Sequence, residues 1–245
     1  MLQNGQFDEA FPALKQLADA GHPGSQYMIC NFYDQGLVVK ANQKIAFKYC
    51  EAAAAQEHPM AIAHLGTKYF FGSGVLQDRD KGMQLIHQAA ELNDTGAIMS
   101  LSNLYATGEG VTRDTDKAFN LAIKAANLGS PAGAFGVGNF YLLGLEPGVN
   151  PDSPINVGEA MRWLHKSAGM GFIPAFATLG HAYTDPQLGV GDYEEAYFWL
   201  SLAHKYGIED ITNLKYDIEL KLSKARRNHV NRRIAEWRPS EPSVF

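Results

Sequence analysis

Residues 61–93 read AIAHLGTKYFFGSGVLQDRDKGMQLIHQAAELN, and residues 97–129 read AIMSLSNLYATGEGVTRDTDKAFNLAIKAANLG, a second version of the same pattern 36 residues later. The same interval separates equivalent tyrosines along most of the chain, with one longer step before the last of them. A period between about 20 and 50 residues is the signature of a repeat array, so we predict about five repeats. The equivalent tyrosines are Tyr33, Tyr69, Tyr105, Tyr141 and Tyr183.

Each repeat is predicted to contain two helices joined by a short turn. Ala61, Leu65 and Tyr69 recur every four residues, which places them on one helix face. The segment GSGV at 72–75 ends that helix, because glycine readily adopts the left-handed conformation of a helix C-cap. An asparagine or aspartate, the residue types preferred as N-caps, then opens the second helix. These N-cap candidates are Asn42, Asp78, Asp114, Asn156 and Asp192.

Small residues recur at two further positions of the repeat. Glycine inside a helix costs about 1 kcal/mol relative to alanine, so a recurring glycine predicts that a second backbone passes close to it. We expect the neighbour to be the pair of small residues in the second helix, such as Ala89-Ala90. The small first-helix position is occupied by Cys30, Gly66, Ser102, Gly138 and Gly180.

Composition excludes several classes of protein. Hydrophobic residues make up 46% of the chain and charged residues 19%, which excludes wholesale disorder. The net charge of −5 does not favour a nucleic-acid partner. No apolar run approaches the roughly 20 residues of a membrane span, and the N-terminal segment lacks a signal-peptide pattern. We therefore leave the compartment open: cytoplasmic for the chain as given, or periplasmic or secreted if a signal peptide has been removed.

The two cysteines, Cys30 and Cys50, exclude a disulfide framework and a cysteine-rich zinc fold. Both lie at core-type positions on the two helices of one repeat. For a chain without a visible export signal we predict a buried thiol pair, with a disulfide as the alternative.

The pattern LGxxYxxGxGVxxDxxKAxxxAxxAAxxG resembles the Sel-one-like repeat family, whose members are relatives of tetratricopeptide repeats. The match is strongest at Leu65-Gly66, Gly74-Val75 and Ala89-Ala90, and it covers roughly residues 7–209. The resemblance implies an all-α, right-handed α-solenoid of about five helix-turn-helix repeats. It also implies a bacterial protein–protein interaction scaffold or adaptor without catalytic residues.

The predicted organisation follows from aligning the repeats on their tyrosines. An N-terminal half-repeat is expected at 1–21, and a C-terminal capping helix with a tail at 208–245. The fourth repeat carries an insertion near 145–158, and we expect the protein to be a monomer. The five repeats are placed at 22–57, 58–93, 94–129, 130–171 and 172–207.

The candidate partner-binding surface lies opposite the core side of the first helices. At 100° per residue Thr67 points about 200° away from Leu65, and tetratricopeptide-like repeats line their concave groove with this side. Asparagine is a poor helix former, yet three of the five equivalent positions hold it, and their amides could bind the backbone of an extended peptide. These positions are Asn31, Thr67, Asn103, Asn139 and His181, with Tyr27, Phe70, Phe71 and Phe135 as flanking apolar contacts.

Two other functions remain as alternatives. One is an enzyme with a site of unknown class in the groove, for example a hydrolase. The chain lacks the SxxK, GxSxG and HExxH motifs, and its histidines are scattered, so we expect neither a catalytic site nor a metal or cofactor. The other is nucleic-acid binding through the basic segment Lys221–Arg233, although a charge run of this kind is more often a solvated face.

Overall fold

The computed structural model of the chain describes residues 4–148 and 155–240. Within these ranges the secondary structure is thirteen α-helices and one short 3-10 helix, without a strand. Residues 149–154 of the predicted insertion lie outside the described residues. The helices are α1 (Asn4–Asp19), α2 (Pro23–Gln35), α3 (Gln43–Ala54), α4 (Pro59–Phe71), α5 (Arg79–Glu91), α6 (Thr95–Thr107), α7 (Thr115–Asn127), α8 (Pro131–Leu142), α9 (Val157–Gly169), α10 (Ile173–Thr184), α11 (Tyr193–Lys205), α12 (Thr212–Lys221) and α13 (Lys224–Glu236).

Helices pack mainly on their neighbours along the chain, in two compact units at residues 1–113 and 114–245. In the first unit the tightest pairs are α2 with α3 and α4 with α5, and in the second they are α8 with α9 and α10 with α11. Packing of consecutive helix pairs is the arrangement of an α-solenoid. The all-α solenoid prediction is therefore confirmed, while the exact repeat boundaries remain our assignment.

All five predicted N-caps are confirmed by hydrogen bonds from the first turn of their helices. Asp78 Oδ1 accepts from Lys81 N at 3.0 Å, and Asp114 Oδ1 accepts from Lys117 N at 2.9 Å. Asn42, Asn156 and Asp192 accept equivalent bonds. Each such cap satisfies a backbone N–H that has no partner within the helix.

The recurring glycine of the first helix lies where the second helix comes closest, but its neighbour is not the alanine pair. A Cβ atom at Gly66 would lie 2.8 Å from Ile86 Cγ1 and 3.0 Å from Gly82 O. At Gly138 the corresponding atom is Leu164 Cγ, at 2.8 Å. The prediction of a close backbone is correct, and the predicted partner is wrong because the crossing point lies about one turn before Ala89-Ala90.

The two cysteines form a disulfide with an S–S distance of 1.99 Å, so the prediction of a buried thiol pair is wrong. Cys30 occupies the position equivalent to Gly66, and Cys50 the position equivalent to Ile86. The cysteines therefore meet at the same crossing point, where their Cα atoms are 5.3 Å apart, a normal separation for a disulfide.

The C-terminal cap consists of two helices rather than the single longer helix that was predicted. Ser223 separates α12 from α13 and caps α13, since its Oγ accepts from Arg226 N at 3.4 Å. Ile218 and Val230, one from each helix, are buried in the same apolar cluster as α11. The segment after α13 continues this cover, with the Trp237 ring 5.2 Å from that of Phe176.

The first prediction tests the glycine crossing. Gly138→Leu should lower the free energy of unfolding by about 1–3 kcal/mol, because the added side chain meets Leu164 in a packed core. Urea unfolding followed by circular dichroism measures the change. Gly158→Leu is the matched control, since Gly158 is exposed and a Cβ there would have only an ordinary contact at 3.8 Å. Equal stability of the two variants would contradict the crossing.

The second prediction concerns the disulfide. Reduction of the wild-type protein should lower its free energy of unfolding by about 2–4 kcal/mol, because the unfolded chain gains freedom. Cys30→Gly combined with Cys50→Leu copies the pair Gly138 and Leu164. This variant should be insensitive to dithiothreitol and more stable than one with serine at both positions. An unchanged urea midpoint for the wild type in reductant would argue against the disulfide.

Candidate partner-binding surface

The predicted ligand residues of the first unit lie on its three first helices, α2, α4 and α6. Thr67 and Asn103 are exposed, and Asn31 is half-buried. In α2 and α4 the opposite side of the helix packs on the second helix, at Cys30 and at Gly66 respectively. The structure thus places the three equivalent residues outside the core.

A crevice between α4 and α6 contains two adjacent cavities that share Thr67 and Ser100. We call the first, of about 200 Å³, the Phe71 cavity, and the second, of about 350 Å³, the Tyr27 cavity. The Phe71 cavity is lined by Thr67, Phe71, Ile86, Ser100, Asn103, Leu104, Thr107 and Glu109. The Tyr27 cavity is lined by Tyr27, Met60, Ala63, His64, Thr67, Asp94, Thr95, Gly96 and Ser100.

The hydroxyl groups of the Phe71 cavity donate back to their own helices. Thr67 Oγ1 donates to Ala63 O at 3.0 Å, and Ser100 Oγ donates to Gly96 O at 2.9 Å. Thr107 Oγ1 likewise donates to the Asn103 carbonyl at 2.9 Å. A hydroxyl has one proton, so these oxygens can only accept a further hydrogen bond, and Thr107 Oγ1 already accepts one from Glu109 N at 3.3 Å.

Aromatic rings form one wall of the Tyr27 cavity. The Tyr27 ring is stacked on His58 with centroids 5.2 Å apart, and the His64 ring meets it edge-on at 6.3 Å. Burial lowers the pKa of His58, against the opposing charge of Asp94. A half-buried imidazole therefore supports one face of the Tyr27 ring.

A buried ion pair fixes the back of the Tyr27 cavity. Lys68 donates to Asp34 and to Gln43 Oε1, and His64 Nε2 lies 3.1 Å from Asp34 Oδ2. Burial alone would raise the pKa of the Asp34 carboxyl, but the hydrogen bond and charge of Lys68 hold that pKa below its usual range. Burial lowers the pKa of His64, although Asp34 opposes this effect.

One predicted contact residue is corrected by the structure. Phe70 is fully buried, with its ring 4.9 Å from that of Phe71, and so it cannot meet a ligand at the surface. Phe71 itself is 51% exposed and lines its cavity. The two neighbours differ because they lie 100° apart on α4.

The second unit contains the other three predicted residues. Asn139 is half-buried on α8, and His181 is exposed on α10. Phe135 is half-buried and packs on Phe172 with ring centroids 5.3 Å apart. Their role as partner contacts remains a prediction.

Several lining residues were not among the candidates. Ser100 and Thr107 lie 36 residues after His64 and Phe71, so the repeat period could have identified both. Glu109 lies in the turn after α6, where helical periodicity gives no signal. Its place in the Phe71 cavity follows only from the packing of α4 and α6.

Among the described residues, one group brings three potential metal-ligand atoms together: Cys30, Cys50 and His64, whose ligand atoms lie within 4.8 Å of one another. Both sulfur atoms are bonded in the disulfide, so neither offers the thiolate that binds a metal. This geometry does not support a metal centre in the oxidised protein.

Much of the basic charge of the C-terminal helices is directed at α11 and α12. Arg233 pairs with Glu195 at 2.6 Å, and Arg226 with Glu194 at 3.2 Å. Arg227 lies 3.6 Å from Glu219. Exposed pairs of this kind contribute little stability, but they neutralise positive charge that binding to a nucleic acid would require.

In the described part of the chain, no helix has both the length and the apolar character needed to cross a bilayer.

Comparison with known families agrees with this geometry. The Sel1 repeat model matches residues 23–58, 59–94, 96–130, 131–172 and 179–205. The chain belongs to the Sel1 repeat family. Sel1 repeats form protein–protein interaction scaffolds and are typically non-enzymatic.

Solved and curated relatives resemble the chain to different extents. A Sel1 repeat protein from Oxalobacter formigenes is 28% identical, with a TM-score of 0.72 over 96% of this chain and 99% of that one. The immunity protein Pa5087 from Pseudomonas aeruginosa shares the fold at 17% identity, with a TM-score of 0.60 over 84% of this chain and 75% of that one.

Among curated proteins, uncharacterized protein NMB1327 of Neisseria meningitidis is 31% identical over 90 residues, 37% of this chain. The matched segments span about a fifth of the length of the curated relatives, 19% for NMB1327 and 18% for Protein SHC1 of Saccharomyces cerevisiae.

The third prediction tests the ion pair behind the Tyr27 cavity. Asp34→Asn should lower the free energy of unfolding at pH 7 by about 1–3 kcal/mol, because the buried Lys68 ammonium loses its carboxylate. Since the pKa of Asp34 is lowered in the folded state, its stabilisation is present above the unfolded value, about 3.9, and is lost as the pH falls through the folded value. The difference between wild type and variant should therefore shrink below about pH 4.

Urea midpoints between pH 3 and pH 7 measure this dependence. Asp217→Asn is the control, because Asp217 is exposed on α12 and has no ion pair among the described residues. A difference that stayed constant across this range would show that Asp34 does not act through its charge.

Proposed function

We propose that the chain is an interaction scaffold that holds an extended segment of a partner protein along the first-helix surface of α2, α4 and α6. The observation that carries the proposal is that asparagine side chains without hydrogen-bond partners lie on the same surface as the open, partly apolar crevice between α4 and α6. In the part of the chain that the structure describes, the side-chain amides of Asn31 and Asn103 have no hydrogen-bond partner.

The amides suit a polypeptide backbone. Each asparagine side chain offers both a donor and an acceptor, and an extended peptide presents the same two groups alternately along its length. Thr67, between the two asparagines in the repeat order, has already used its proton on Ala63 O. It supplies an acceptor at the same surface.

Apolar area beside the amides supports the same function. Phe71 is 51% and Met60 48% exposed, and the two residues line neighbouring cavities. Exposed apolar groups beside a few placed polar groups are typical of sites at which partner side chains become buried. The disulfide of α2 with α3 and the Asp34–Lys68 pair hold this surface in place before a partner binds.

The fourth prediction tests the amides directly. Asn31→Ala combined with Asn103→Ala should weaken partner binding about tenfold or more, as expected for at least two hydrogen bonds of roughly 1 kcal/mol each. Affinity capture from a lysate of the native host, quantified by mass spectrometry, measures the loss. Circular dichroism should be unchanged, since both residues lie outside the core.

The matched control is Asn120→Ala combined with Asn228→Ala, two exposed asparagines on α7 and α13. Partner proteins should be retained by wild type and control and lost from the Asn31/Asn103 variant. Equal recovery of the same proteins on the wild type, the control and the Asn31/Asn103 variant would show that the two amides do not contribute to binding.

A further inference from the structure

We propose that the Phe71 cavity holds a lysine or arginine side chain of the bound polypeptide, with its cationic group beside Glu109. The inference rests on the proposed function, and it names the chemistry of the partner at one position. Three independent features of the cavity carry it: its apolar floor, the direction of its hydroxyl hydrogen bonds, and its uncompensated negative charge.

The floor of the cavity suits an alkyl chain. Phe71, Ile86 and Leu104 contribute apolar surface, and the volume of about 200 Å³ is enough for one long side chain. Lysine and arginine bury their methylene groups along apolar surface while the charged end stays at a polar edge. A purely apolar side chain would also fit this floor, so the polar groups must discriminate.

Those polar groups are mostly acceptors. The protons of Thr67, Ser100 and Thr107 are used on carbonyl groups of their own helices, so their oxygens offer only lone pairs to an occupant. Thr107 Oγ1 already accepts from Glu109 N, which leaves it one lone pair. Ammonium and guanidinium groups are donors without an acceptor. Asn103 also offers an amide oxygen. A basic side chain can donate hydrogen bonds to these acceptors, whereas an apolar side chain would leave them without a partner.

Negative charge collects at the same place. The Glu109 carboxylate lines the cavity, and it forms no ion pair within the ranges that the structure describes. The cavity also lies at the C-terminal ends of α4 and α6, at Phe71 and Thr107, where the helix dipoles are negative. Arg79 of α5 lies over the Phe70 ring, 5.6 Å from its centroid, and its Nη1 would be 3.8 Å from a Cβ at Gly110, but it forms no ion pair with Glu109. An acidic side chain would be repelled at this position.

Binding of peptide pools tests the proposal. Four pools of fluorescent nonapeptides carry lysine, arginine, norleucine or glutamate at the central position and random residues elsewhere. Norleucine keeps an apolar chain without the charge. Immobilised wild-type protein should retain the lysine and arginine pools about tenfold more than the norleucine pool, as expected for a charge-assisted hydrogen bond, and the glutamate pool least.

Two substitutions locate the effect. Glu109→Gln keeps the shape of the side chain and removes its charge, so the preference for lysine and arginine over norleucine should fall several-fold. Glu91→Gln is the matched control, because Glu91 is exposed on α5 and does not line the cavity. It should leave the preference unchanged.

The outcomes separate this inference from the proposed function. Equal retention of the lysine and norleucine pools, or a preference unchanged by Glu109→Gln, would overturn the proposal that a basic side chain occupies the Phe71 cavity. If the wild type then still retained the pools and the Asn31/Asn103 variant did not, the proposed peptide-binding surface would be supported, and the Phe71 cavity would bind a side chain of another kind. Retention of no pool by the wild type would count against both proposals.

Discussion

The crossing point within the helix pairs α2–α3, α4–α5, α8–α9 and α10–α11 is the contact on which the rest of each unit depends. A small residue of the first helix faces a larger apolar residue of the second, as Gly66 faces Ile86 and Gly138 faces Leu164. Interiors are close-packed, so a missing Cβ on one side must be matched by a side chain on the other. In the first repeat the same two positions hold Cys30 and Cys50, and a covalent bond replaces the packing contact.

This crossing has a consequence for the surface. Because α2 and α4 direct their small residues at their second helices, the opposite side of each is released from core packing and can hold polar groups. Asn31, Thr67 and Asn103 lie there, and Thr67 and Asn103 line the cavities between α4 and α6. A scaffold of this kind needs rigid backbone and a variable outer face, and the repeat supplies the two on different sides of one helix.

Most of the charges discussed above are paired within the protein, and one is not. The Asp34–Lys68 pair is mostly enclosed and supports His64 at the back of the Tyr27 cavity. Three C-terminal arginines, Arg226, Arg227 and Arg233, pair with glutamates of α11 and α12. Both sets of cations are compensated inside their own unit. Glu109, in contrast, lines the Phe71 cavity and forms no ion pair with the described residues, so its negative charge is available to a cationic ligand.

The amino-acid sequence alone was enough for the helix pairs, the five N-caps and the side of each first helix that faces away from the core, because these depend on residues a few positions apart. Ser100 and Thr107 could have been found by the same period. The disulfide, the break at Ser223, the burial of Phe70 and the place of Glu109 required the tertiary structure. Each of these depends on how side chains of separate helices share space, which a periodic pattern along one chain does not encode.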